Sequence, residues 1–224
     1  MDWQAIWLTA KLATATTIIL LVLGMPLAYW LALSRRRWKT IIEAIVALPL
    51  ILPPTVLGFY TLLAIGSRSP VGRAYESVTG GLLPFSFEGL LVGSVAFSLP
   101  FAVQPMMVAF GEVDKKLIEA SWILGEGRLS TFFRTIAPMS TTGIMISAVL
   151  TFAHTMGEFG VVLMLGGNIP GETRTVAVSI YDSVQALDYS AAGRTSAFLL
   201  AVSFLVLVIT YSLQKRMGGV WPAR

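Results

Sequence analysis

Five stretches of this 224-residue chain are apolar for long enough to cross a bilayer: about Trp7 to Leu33, Ile41 to Ile65, Leu90 to Phe110, Ser140 to Leu165 and Ala197 to Leu213. A hydrocarbon core of about 30 Å takes roughly 20 helical residues. Within it each helix pairs its own backbone N–H and C=O groups. A hydrophobic share of 55% and a charged share of 12% invert the balance of a water-soluble domain. The expectation is an all-α integral membrane protein with one transmembrane domain over residues 1–224.

The first run lacks a basic segment before it and exceeds the ~7–15 residues of a signal-peptide core, so it reads as a retained span. Pro49, Pro53 and Pro54 interrupt the second run, and Pro100 and Pro105 the third. Each proline removes a backbone donor at membrane depth, so both spans are expected to be broken or kinked, as suits a pathway. Residues 70–85 read as a loop containing Gly and Pro. Residues 173–189 read as a short helix or re-entrant element. Neither is long and apolar enough for a full span, and the count becomes six if one of them crosses.

Basic residues select the sides. Arg35, Arg36, Arg37, Lys39, Lys115, Lys116, Arg128, Arg134, Lys215, Arg216 and Arg224 fall on one side, against Lys11, Arg68, Arg73, Arg174 and Arg194 on the other. The positive-inside rule then puts the N-terminus outside and the C-terminus in the cytoplasm, with loops 34–40 and 111–139 cytoplasmic. The net charge of +4 therefore marks a membrane topology, and the cluster Arg35 to Lys39 is a topology anchor beside anionic lipid headgroups rather than a nucleic-acid patch. There is no cysteine, which excludes disulfides and thiolate metal sites.

The connection from Gly111 to Ser140 is long for a loop between spans and is internally patterned. Ile118, Trp122 and Leu124 fit a short helix ending at Gly125. Leu129, Phe132, Phe133 and Ile136 fall on one face of a second helix. Such a helical hairpin is suited to a groove in a partner protein; an amphipathic interfacial loop with no partner is the plainer reading.

Glu119 and Ala120, with Gly125 six residues after the glutamate and Pro138 nineteen after it, resemble the signature of ABC-importer permeases. Ser121, Thr135 and Ala137 depart mildly from the usual residues. In that family the loop couples to a nucleotide-binding subunit, so the resemblance implies a type I ABC-importer permease fold and ATPase-coupling roles for Glu119, Ala120, Gly125, Arg128, Phe132, Phe133 and Pro138. It implies a second copy of this chain, two ATP-binding subunits, an extracytoplasmic substrate-binding protein and a place in the cytoplasmic (inner) membrane. Leu48 to Val56, Gly157-Glu158-Phe159-Gly160 and Asn168 to Thr175 look closest to molybdate permeases. Tungstate is inseparable from molybdate here, and sulfate and thiosulfate permeases share the first two segments. A non-transporting scaffold or membrane-embedded enzyme is the reading from another class.

No Gly-x-x-x-x-Gly-Lys-Ser/Thr loop is present, so ATP and Mg are expected on the partner and no cofactor in this chain. One histidine in 224 residues leaves little for a general-base or metal site. The candidate pathway or gate residues are Pro53, Pro54, His154, Glu158, Asn168 and Arg174. His154 and Glu158, four apart, are expected on one helix face, where ionisable groups are costly. A carboxylate repels an oxyanion, which favours a structural or gating role for Glu158 over substrate attraction. Arg174 and Arg194 are read either as contacts for the anion or a delivering protein, or as solvated loop charges.

Overall fold

The computed structural model describes residues 1–218 and, of the side chains, those of residues 1–212. Arg224 and the side chains of Lys215 and Arg216, used above to assign sides, lie outside the described residues. The first helix, α1 (Trp3–Leu33), is capped by Asp2, whose carboxylate accepts the N–H of Ala5 at 3.0 Å. The second apolar run forms α2 (Lys39–Ala47), a tight turn at Leu48–Leu50 and α3 (Pro54–Ile65). The chain bends by 111° between the two arms. Pro53 and Pro54 end the first arm and start the second, since proline fits the first helical turn but not the interior.

Residues 70–85 are not simply a loop: Pro70–Thr79 form α4, capped by Ser69. The third span, α5 (Phe87–Gly111), is not broken: it is one continuous helix through Pro100 and Pro105. It is the central post, packed against α1 on one side and α9 on another, and this burial outweighs the roughly 3 kcal/mol that an interior proline costs.

The patterned connection folds as α6 (Lys115–Ile123), α7 (Arg128–Thr131), a π-helical turn at Phe132–Ile136 and α8 (Ala137–Met139). It leads into α9 (Thr141–Met156) at a bend of 76°. The fourth span is therefore not one helix from Ser140 to Leu165. The chain leaves helical geometry at Gly157 and restarts as α10 (Gly160–Gly166). A Cβ on residue 160 would stand 2.8 Å from Pro54 Cβ, so glycine there lets α10 meet α3 closely.

α11 (Val176–Gln185) is a ten-residue helix, about 15 Å long and too short to span. The last span, α12 (Tyr189–Gly218), starts earlier than expected. Three helices are long and apolar enough to cross a bilayer, and the count reaches five when each of the two bent pairs forms one span. α12 leaves Leu200, Phe204, Leu205 and Tyr211 exposed, as a helix facing lipid does.

Two apolar cores hold the bundle. One joins Leu8, Leu12, Leu90, Val161 and Leu165 near the N-terminal end. The other joins Leu20, Leu31, Val103, Met106, Phe110, Phe132 and Ile136 near the hairpin. Two sites result: a cavity beside the break between α9 and α10, and the hairpin at one end.

Candidate functional site

The break at Gly157 exposes a cavity of about 630 Å³ lined by Pro54, Thr55, Phe97, His154, Glu158, Phe159 and Met164, among others. It unites three of the expected pathway residues, but not by the expected geometry. Glu158 sits beyond the end of α9, so it and His154 are neighbours across a break rather than one helical turn apart.

His154 lies against Phe101, with ring centroids 4.0 Å apart and an interplanar angle of 23°, and touches Phe97 at 4.7 Å. Its Nδ1 is 3.0 Å from Ser98 Oγ, which is 3.0 Å from Thr155 Oγ1. Thr155 in turn donates to the carbonyl of Thr151 at 2.9 Å. Glu158 is only 3% exposed, and neither carboxylate oxygen has a hydrogen-bond partner among the described residues. Ser94 Oγ faces it without closing a bond. Ser94 and Ser98 escaped the sequence reading. Their signal was two hydroxyls four residues apart on one face of an apolar span, where interhelical hydrogen bonds are made.

Asn168 and Arg174 do not reach this cavity. Arg174 Nε donates to Asn168 Oδ1 at 2.6 Å, Asn168 Nδ2 donates to Asp182, and Arg174 Nη2 lies 3.5 Å from Asp182 Oδ2. The three side chains tie the loop after α10 to α11, so Arg174 is engaged within the chain. Asp182 was not anticipated, standing alone in a mildly apolar segment. Arg194 is exposed, and Pro53 adjoins Pro54 at the start of α3.

In the hairpin, α6 ends where Gly125 takes a left-handed φ of 85°. Ser121 and Thr131 hydroxyls meet at 2.9 Å in its buried seam. Arg134 Nη1 donates to Glu126 Oε1 at 2.7 Å. A hydrogen bond from Ser130, reinforced by the Arg134 charge, holds the Glu126 carboxyl below the usual carboxylate range.

The expected single apolar face of the second hairpin helix splits. Phe132 and Ile136 turn inward, Phe132 packing at 5.0 Å on Tyr29 and 5.6 Å from Phe110, while Leu129 and Phe133 point out. Phe132 and Ile136 lie four apart on the inward side, and the adjacent Phe133 falls about 100° round the helix from Phe132. Phe132 is thus an anchor to α1 and α5 rather than a surface residue. The exposed crest consists of Trp122, Ile123, Leu124, Leu129 and Phe133, with Ile123 86% and Leu124 83% exposed. Glu119, Ala120, Gly125, Arg128 and Pro138 are exposed around it.

A membrane-spanning bundle with an apolar hairpin crest at one end and a cavity at a broken helix has the layout of a transport permease. Residues 12–218 match the family described as binding-protein-dependent transport system inner membrane component, and the chain belongs to that family. It is 49% identical over 219 residues to the molybdenum transport system permease protein ModB of Azotobacter vinelandii, covering 98% of this chain and 97% of that one. The ModB protein of Escherichia coli K12 is 32% identical, over 96% of this chain and 94% of its own. The sulfate transport system permease protein CysT of a Synechocystis species is also 32% identical, over 91% of this chain and 71% of its own. The fold is that of ABC-importer permeases. A bacterial ABC transporter that imports alginate superposes with a TM-score of 0.76 at 16% identity, over 95% of this chain and 78% of that one. The inward-facing MetNI methionine transporter superposes with 0.74 at 15% identity, over 96% and 95%.

Proposed function

We propose that this chain is the membrane permease subunit of an ATP-driven importer that carries molybdate, or its near-isostere tungstate, into the cytoplasm. The observation that carries the reading is the near-half identity, end to end, with a molybdenum permease. Two copies would enclose the pathway, two ATP-binding subunits would hold ATP and Mg, and an extracytoplasmic binding protein would deliver the anion. The termini would lie on opposite faces of the inner membrane, the N-terminus outside and the hairpin in the cytoplasm, as the basic residues argue.

The crest of Trp122, Ile123, Leu124, Leu129 and Phe133 suits a groove on the ATPase, with Glu119, Ala120, Gly125, Arg128 and Pro138 around it. Phe132 would pass the motion on, because it is wedged against Tyr29 and Phe110. Ser140 Oγ, donating to the carbonyl of Ala109 at 3.1 Å, fastens the other flank of the hairpin to α5. Closure of the ATPase pair would then shift the hairpin with α1 and α5 and switch the cavity between its two openings. Pro53 and Pro54, at the bend of the second span, and Glu158, at the break of the fourth, are the gate elements in this scheme. Asn168 and Arg174 brace the segment that carries α11.

The test is uptake of labelled molybdate by vesicles holding this permease, its ATPase and the binding protein. ATP-dependent uptake that tungstate blocks and excess sulfate does not would support the reading. Efficient competition by sulfate would move the chain to the sulfate branch, which the relatives at 32% identity keep in view. Assembly without uptake of either anion would point to a scaffold.

A further inference from the structure

The hydroxyl chain behind His154 has only one consistent direction. Thr155 uses its proton on the carbonyl of Thr151, as a helical threonine does, so toward Ser98 it can only accept. Ser98 therefore gives its single proton to Thr155, and its remaining role toward the ring, 3.0 Å away, is acceptor. Nδ1 must then carry a proton. Phe101 stacks on one face of the ring and Phe97 lies against it, so polar contacts are left to its edge. Nε2 has no hydrogen bond among the described residues, and the residue lines the 630 Å³ cavity.

We infer that His154 is an oxyanion contact of the pathway whose Nε2 binds the anion together with one proton, with Ser98 and Thr155 as the residues that fix its tautomer. This rests on the oxyanion-permease reading above. A neutral ring locked with Nδ1–H offers the cavity a lone pair, which repels a fully ionised tetrahedral dianion. Contact forms only when a proton from bulk water joins the pair. It sits on Nε2, which then donates to an anion oxygen, or on the anion, which then donates to Nε2. The proton count is the same in both. Either way the dianion passes the Glu158 carboxyl group with one unit of its charge offset. Glu158 is the other titratable group on the cavity wall among the described residues. Ser98, Phe97 and Phe101 meet the ring, and α3 and α10 supply Pro54, Thr55, Gly160, Leu163 and Met164 to the same cavity wall; none of these titrates.

Because the chain has a single histidine, the ring can be observed directly. The assembled transporter, purified without a histidine tag and labelled with ¹⁵N-histidine, is compared with His154→Gln to identify the signal of this ring. The expected spectrum without anion shows a protonated Nδ1 and a bare Nε2. Saturating molybdate is expected to move Nε2 to the hydrogen-bonded, protonated range, and Ser98→Ala to release the tautomer preference. In vesicles, wild-type uptake is expected to fall as pH rises. His154→Gln, whose amide donates without titrating, should flatten that profile. His154→Phe should lower uptake about tenfold or more, the loss of one charge-assisted hydrogen bond. An Nε2–H ring in the anion-free wild type, or an unmoved Nε2 in a complex that takes up molybdate, would overturn the inference alone. Absence of any uptake in the wild type would sink the permease reading and this one with it.

Discussion

The hydroxyl of Thr9, near the start of the first span, accepts the backbone N–H of Val176 at 2.8 Å across 167 residues of sequence. It does so while donating to the carbonyl of Ala5 at 2.7 Å, so one buried side chain caps α11 and anchors it to α1. Thr9→Val keeps the volume and removes the acceptor, leaving a buried N–H unpaired at a cost of about 1–3 kcal/mol. Thermal unfolding of the purified permease in detergent should show a lowered midpoint for Thr9→Val and a near-normal one for Thr9→Ser. Equal midpoints for all three proteins would show that the tie contributes nothing.

A side chain at position 160 has no room beside Pro54. Gly160→Val should force α10 away from α3, costing about 1–3 kcal/mol through overpacking and distorting the cavity wall. Lower thermal stability together with reduced uptake is the expected pair of readings. Full uptake would mean that the cavity tolerates the shift.

The crest of the hairpin separates binding from folding. Ile123 and Leu124 make few contacts within the chain, so Ile123→Asp and Leu124→Asp should leave the unfolding midpoint unchanged. Copurification with the ATPase should be lost in both. An ATPase retained by both variants would remove the hairpin crest from the interface.

Arg174 can be assigned by charge reversal. Its pair with Asp182 is about one-third exposed, so solvent screening holds its contribution to about 0–1 kcal/mol. Arg174→Glu should lower uptake, and adding Asp182→Arg should recover part of it if the pair only braces the segment. A folded but inactive double variant would instead assign Arg174 to the anion.

The hairpin ion pair has a defined acid limit. Glu126 is held below its ordinary value of 4.5, so its contribution is present above that value and lost as pH falls through the lower folded value. Assembly with the ATPase should therefore be insensitive to this group between about pH 5 and 8. Glu126→Gln should reproduce at neutral pH whatever loosening acid causes in the wild type. A change of assembly with acid that persists in Glu126→Gln would place the responsible group elsewhere.

The elements readable in advance were those governed by local chemistry. Apolar runs must span a bilayer, Pro53 and Pro54 must break a helix, Gly125 must end one, and basic residues collect beside particular spans. Each follows from a residue and its near neighbours, and so does the pattern of Glu119, Gly125 and Pro138. Elsewhere tertiary packing decided. α5 stays whole through two prolines, packed against α1 and α9, whereas the fourth span breaks at Gly157 and restarts at Gly160, in close contact with Pro54. Packing against Tyr29 and Phe110 takes Phe132 into the core and leaves Phe133 outside. Arg174 finds Asp182, and His154 finds Ser98 from another helix. Partners of that kind lie from 8 to 177 residues apart in this chain. Periodicity reports which face of a helix is apolar, but only the assembled bundle selects the group that face will meet.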